Sequence, residues 1–247
     1  NDLQWTRDGH DHGAALAKDL GYTPVYLHYN TGLHISSNGR AFADTLEALV
    51  AAWPVPLGEL VILAHSMGGL VTRSALDVAA GAGHAWPQVL RKIVFLGTPH
   101  HGAPLERGGH WIATVLGKTP YIAPLERLGR IRSAGITDLR HGSVHDEDWH
   151  GRDRFAHGKD PRRPLPLPRG VRCYAIAGTV GSTETPLRDQ VLGDGLVPVP
   201  SALGQHRDAR FTLAFPKSHQ WIAADTSHFD LLGRADVYGR IRKWLAA

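Results

Sequence analysis

The residues that best combine reactive type with informative spacing are Ala64-His65-Ser66-Met67-Gly68-Gly69. They close an apolar, β-branched run, Leu60-Val61-Ile62-Leu63, and precede an apolar face at Met67, Leu70, Val71, Ala75 and Val78 with helical spacing. Strand, sharp turn, helix is the layout of a nucleophile elbow, which lifts one serine hydroxyl above a sheet. Ser66 would then sit at the positive end of the helix. There, negative charge developing on a substrate oxygen is stabilised, and the Met67 N–H would be one oxyanion-hole donor. Gly68 and Gly69 carry no side chain to block so tight a strand-to-helix contact. Ala64 stands where the pattern G-x-S-x-G has its first glycine, which adds only a methyl group. The plain alternative is a tight β-α turn capped by a serine.

A serine hydroxyl is a poor nucleophile at neutral pH. It needs a base to take its proton, and the base needs an acid to orient it. In an open α/β sheet these come from loops after later strands, in the order serine, acid, histidine. The acid is assigned to Asp194, between Gly193 and Gly195 in the loop after an apolar run ending at Ala177, with Glu184 and Asp189 as rivals. The base is assigned to His228, in Thr226-Ser227-His228-Phe229, with His206 and His219 as rivals. The chain has 16 histidines, so position and not residue type decides between them. His100, at the end of another apolar run, is assigned to the substrate pocket, though a hydrogen bond within its own loop is an equal reading. Trp111, Ile112, Val115 and Phe229 are assigned as apolar pocket walls. The group His141, His145, Asp146, Asp148, His150 and His157 follows no tight ligand spacing, so no metal and no cofactor is expected.

The elements that must hold these residues follow from periodicity. Ala14, Ala15, Leu16 and Leu20 form a short helical face stopped by Gly21. Val25–Tyr29 reads as a strand, and Phe42, Leu46, Leu49 and Val50 as a helix closed by Pro54 and Pro56. Buried strands are expected at Lys92–Leu96 and Val171–Ala177, a last strand at Phe211–Phe215, and a closing helix through Val237, Ile241, Trp244 and Leu245. Strands alternating with helices imply a mostly parallel, doubly wound sheet with helices on both faces. The alternation breaks between residues 101 and 168. Short apolar helices are expected there at Trp111–Leu116 and Ile122–Ile131, followed by a polar stretch whose basic end (Arg152, Arg154, Lys159, Arg162, Arg163, Arg169) reads as solvated surface. This insertion is expected to be a cap or lid over the strand ends, the alternative being an external excursion. Residues 1–247 thus read as one α/β domain, with 101–168 inserted in it.

Composition narrows the classes. With 247 residues, 43% hydrophobic and 20% charged, the chain can bury a large core. A net charge of +4, with no arginine-rich helix or aromatic ladder, gives no reason to expect nucleic acid. No apolar run approaches the ~18 residues needed to span a bilayer. The single cysteine, Cys173, lies in an apolar run and reads as a core thiol. No signal peptide is visible, which leans the reading to the cytoplasm. Oligomeric state is not legible.

Four stretches carry a resemblance: Ala64–Val71, Gly97-Thr98-Pro99-His100-His101-Gly102, Asp194-Gly195-Leu196-Val197-Pro198 and Ser227-His228-Phe229. Together they resemble the α/β-hydrolase superfamily, and more narrowly bacterial lipases and esterases related to the inositol-deacylase type. The resemblance implies an α/β-hydrolase fold with a lid. It also implies a carboxylic ester hydrolase acting on a small-molecule or lipid ester through a Ser66–His228–Asp194 triad. An acyltransferase or amidase with the same triad, or a non-catalytic binding module on the same fold, are the other readings. Such proteins place a buried strand ending in His-Gly before the first helix, and it supplies the second oxyanion donor. No such strand follows Asn1, so first strands preceding residue 1 are expected.

Overall fold

The structure, a computed structural model, describes residues 5–103, 133–151, 162–180 and 193–247. A short hairpin, β1 (Thr6–Arg7) and β2 (His10–Asp11), leads into α1 (His12–Leu20). Asp11 caps α1 by accepting from Ala14 N, and Gly21 ends it in the left-handed region at φ 73°, as its sequence position requires. Helix α2 (Ile35–Ala51) precedes β3 (Leu60–His65), which turns directly into α3 (Met67–Ala82). Then come β4 (Leu90–Leu96), α4 (Ala134–His141), β5 (Arg172–Gly178), α5 (Val199–Ala202), β6 (Gln220–Ala223) and α6 (Ala235–Ala246).

The four long strands form one parallel sheet in the order β3-β4-β5-β6, with Ala64 opposite Phe95 and Phe95 opposite Ala175. The pleat sorts their side chains onto two cores. Ile62, Ala64, Ile93, Phe95 and Ala175 pack against Ala43 and Leu46 of α2 and Ala75 and Ala79 of α3. Val94, Leu96, Tyr174 and Ile176 pack on the other face, against Leu16 of α1 and Val237, Ile241 and Trp244 of α6. Burial on both faces is why β4 and β5 read as continuous apolar runs. Lys92, only 4% exposed, donates from Nζ to Leu245 O at 2.6 Å and fastens α6 to the sheet.

Two expected strands are absent. Val25–Tyr29 has strand composition but no ladder partner, and Val25 is 60% exposed. Among the described residues β3 pairs with β4 alone, and a cavity separates its other edge from residues 22–29. Phe211, Leu213 and Phe215 do alternate inward, but the main chain there bonds only locally and to Gly204 O. The last strand is Gln220–Ala223, paired with β5 in its place.

Of the insertion, the expected helices at Trp111–Leu116 and Ile122–Ile131 lie outside the described residues. Some described residues of its second half pack into a core cluster. Ile136, Leu139 and Val144 pack with Ile35, Met67, Leu70 and Val71. Buried Asp138 accepts from Ile35 N and His34 Nδ1 at 2.9 Å each, and the His34 ring stacks face to face on Trp149 at 3.6 Å. Of the basic end, Arg152, Arg154 and Lys159 lie outside the described residues and Arg169 is exposed, while Arg162 donates to Gly142 O and Arg163 pairs with Asp77. Among the described residues no three of His, Cys, Asp and Glu converge on a metal-sized site.

Gly69 shows how tightly the elbow is fitted. A Cβ there would lie 2.1 Å from Thr98 Oγ1 and 2.5 Å from Thr98 Cγ2, whereas a Cβ on Gly81 of the same helix would meet nothing within 4 Å. Gly69→Ala is expected to lower stability by about 1–2 kcal/mol, because overpacking outweighs the helix-propensity gain of under ~1 kcal/mol. Gly81→Ala should be neutral or stabilising. Urea midpoints of the two variants check this.

Candidate active site

Ser66 occupies a backbone conformation that β-carbon sterics disfavour, φ 53° and ψ −127°. Two hydrogen bonds hold it there: its N–H donates to Leu96 O at 2.9 Å, and its carbonyl accepts from Gly69 N at 3.0 Å. The hydroxyl does not cap α3. It is left free above the sheet, next to the first N–H of the helix, that of Met67.

Asp194 and His228 come together from loops 34 residues apart. His228 Nδ1–H donates to Asp194 Oδ2 at 2.7 Å, and both residues are only 2% exposed. The backbones are tied as well, His228 N donating to Asp194 O at 3.0 Å. The other carboxylate oxygen, Oδ1, accepts from Leu196 N at 3.0 Å and Val197 N at 2.8 Å. A carboxylate with both oxygens held in this way cannot rotate. Glycines make the room. Gly193 and Gly195 take φ 66° and 91°, turning the chain tightly around Asp194. A Cβ on Gly97 would stand 3.0 Å from Asp194 Oδ2 and 3.1 Å from His228 Cε1. A Cβ on Gly178 would stand 2.9 Å from Asp194 Cβ.

Ser66, Met67, Gly68, His228 and Phe229 share one cavity of about 980 Å³. It runs along the edge of β3 that is unpaired among the described residues, walled by apolar side chains such as Leu16, Val61 and Leu63, with Tyr29 also in its lining. Burial raises the Tyr29 phenol to about 12, so it remains protonated. No hydrogen bond joins Ser66 to His228; such bonds commonly close only around a substrate.

His100 is elsewhere. It is fully buried, edge-on to Phe95 at 4.8 Å, and lines a separate small cavity with Arg73 and His101. Burial, then the Arg73 guanidinium, holds it well below the usual histidine range, so it is neutral. Its ring packs on Phe95 and Phe215 beside Arg73, and it does not line the cavity that holds Ser66. The rivals for the base are also accounted for. His219 bonds Cys173 O and packs on Tyr174, and His206 packs on Phe211. Trp111, Ile112, Val115, Glu184 and Asp189 lie outside the described residues. Sequence reasoning gave Gly97 and His65 no role, although both stood inside motifs it quoted. Gly97 clears the space for the Asp194–His228 pair, and His65 Nε2 bonds the His228 carbonyl at 2.9 Å.

Residues 44–162 match the family model described as PGAP1-like alpha/beta domain. Among solved structures, the chain is similar to the lipase BlEst2 of Bacillus licheniformis in its mature form. Identity is 18% and the TM-score 0.59, over 99% of this chain and 86% of that one. Against the propeptide form of the same lipase, identity is 16% and the TM-score 0.57, over 97% of this chain and 47% of that one. A comparison with curated protein sequences finds no match. The sheet order, the elbow and these likenesses fix the α/β-hydrolase fold.

Burial of histidines also fixes a pH dependence. His12 and His101 are held at about 4, and His65 at about 3, each chiefly by desolvation, against a usual value of 6.5. In the unfolded chain these rings take up protons as pH falls through about 6.5; in the folded chain they do not until much lower. Stability should therefore be full above pH 6.5 and fall steadily toward pH 4. Denaturant midpoints at pH 7.5, 6 and 5 test this, and a flat profile would refute it.

Proposed function

We propose that this α/β-hydrolase-fold chain is a serine hydrolase cleaving carboxylic esters, with Ser66 as nucleophile, His228 as base and Asp194 as orienting acid. The observation that carries the reading is the buried 2.7 Å bond from His228 Nδ1–H to Asp194, facing the same cavity as a strained serine. That bond puts the imidazole proton on Nδ1, which leaves Nε2 as a bare lone pair.

The reaction follows from these placements. Nε2 of His228 takes the Ser66 proton as Oγ attacks the ester carbonyl, and a tetrahedral oxyanion forms. Met67 N–H, at the positive end of α3, donates to that oxyanion. The imidazolium is stabilised by the Asp194 carboxylate at short range and low dielectric, then gives its proton to the leaving alcohol. Water, deprotonated by the same Nε2, attacks the acyl-enzyme, and the collapsing intermediate returns the proton to Ser66 Oγ. The apolar walls of the cavity favour an ester with an apolar acyl chain or alcohol.

A graded panel of p-nitrophenyl esters, with a fluorophosphonate probe for Ser66, tests this. Turnover and labelling are expected in the native chain. Ser66→Ala should abolish labelling and lower kcat by about 10⁴-fold or more. Asp194→Asn should lower kcat by about 10⁴-fold while keeping the fold, because Nδ1 then loses its acceptor and the wrong tautomer is favoured. Turnover of Ser66→Ala near the native level would refute the assignment. Adding a competing alcohol or amine to the same assay shows whether the acyl group prefers an acceptor other than water.

A further inference from the structure

The loop that carries His228 runs from Thr226 to Leu232 and is held from beneath by two other histidines. His65 donates from Nε2–H to His228 O at 2.9 Å, and His12 donates from Nε2–H to Leu231 O at 2.9 Å. A carbonyl can only accept, so both rings carry their proton on Nε2. Nδ1 of His12 is then bare, and it accepts from His10 Nε2–H at 2.8 Å. His12 is fully buried and stacks at 15° on Tyr238. The His65 ring lies against the His228 ring, centroids 4.5 Å apart, with Phe229 at 6.1 Å.

We propose that His65 and His12 are positioning residues for the base, two imidazoles that hold the His228 loop by its backbone carbonyls. His65 further couples the base to the nucleophile, because it is the residue immediately before Ser66. The inference rests on the reading of His228 as base. Its force comes from connectivity. His65 ends β3, so the same rigid strand end that aims Ser66 also anchors the main chain of its partner across 163 residues of sequence. A shift of the elbow then carries the base with it, and the spacing between hydroxyl and Nε2 is kept.

Neutral imidazole suits this place. The base becomes cationic during the reaction, and a lysine or arginine donor in van der Waals range would oppose that charge. An imidazole held neutral donates the same bond without the charge. The groups facing His65 are His228 and His12, with Asp194 behind His228. Those facing His12 are His10, Asp11 and Tyr238. Desolvation is the largest influence on both rings and keeps them uncharged through the range in which an esterase would work.

The test compares His65→Ala with His65→Gln, whose amide N–H reaches about as far as imidazole Nε2. For His65→Ala, kcat should fall by about 10–10²-fold with KM within twofold, the cost of a base about 1 Å out of place. The acid limb of kcat/KM should also shift, because the ring packed at 4.5 Å against the base is gone. His65→Gln should recover most of kcat. Imidazole ¹⁵N shifts of the native protein provide a readout independent of activity. His65 and His12 should be neutral Nε2–H tautomers from pH 5 to 8. A cationic or Nδ1–H His65 in that range, or a His65→Ala variant with native kcat and native pH profile, would overturn the proposal. A native chain lacking Ser66-dependent turnover would instead sink the underlying assignment, and the tautomers would still report on the tether.

Discussion

The Asp194–His228 hydrogen bond is the constraint around which the rest of the molecule is arranged. A carboxylate at 2% exposure is tolerable only when its lone pairs are filled. Three donors fill them: the imidazole, Leu196 N and Val197 N. The loops that bring these groups in are fixed to each other by His228 N on Asp194 O and by Thr226 N on Thr179 O. The pair thus behaves as part of the core. It sits at the C-terminal ends of β4 and β5, where an open parallel sheet presents its ligand crevice.

Room for that pair, and for the elbow, is made by deleting side chains. Gly97 and Gly178 end β4 and β5 without a Cβ, and the vacated space holds the Asp194 carboxylate and the His228 ring. Gly69 does the same for the contact between α3 and Thr98. The strain at Ser66 persists because its neighbours are this closely packed: a residue held at φ 53° relaxes unless the surroundings over-determine it.

The free edge of β3 sets the character of the cavity. Val25–Tyr29 has the composition of a strand but lies across the cavity from β3 and joins no sheet among the described residues. A strand is stabilised by pairing as much as by its own residues, so composition alone overstates it. The converse error occurs at Gln220–Ala223. Only four residues long, it carries little strand signal, yet it pairs with β5 and is the sheet edge among the described residues.

The sequence by itself determined the local geometry. A β-branched run against two glycines can only be a strand turning sharply into a helix, and Gly21 can only be a helix stop, because these outcomes depend on sterics within a few residues. It determined the two-sided sheet for the same reason: continuous apolar runs have no solvent face. The order and position of Asp194 and His228 were legible because loops after successive parallel strands must meet at one edge. What only the tertiary structure decided depends on residues distant in the chain. It put His100 beside Arg73 and Phe95, away from Ser66, and gave His65 and His12 their carbonyls. It packed Ile136, Leu139 and Val144 of the insertion against Ile35, Met67 and Leu70. An imidazole in this chain becomes a base, a tether or a buried spacer according to which partner reaches its two nitrogens, and that choice is made by packing.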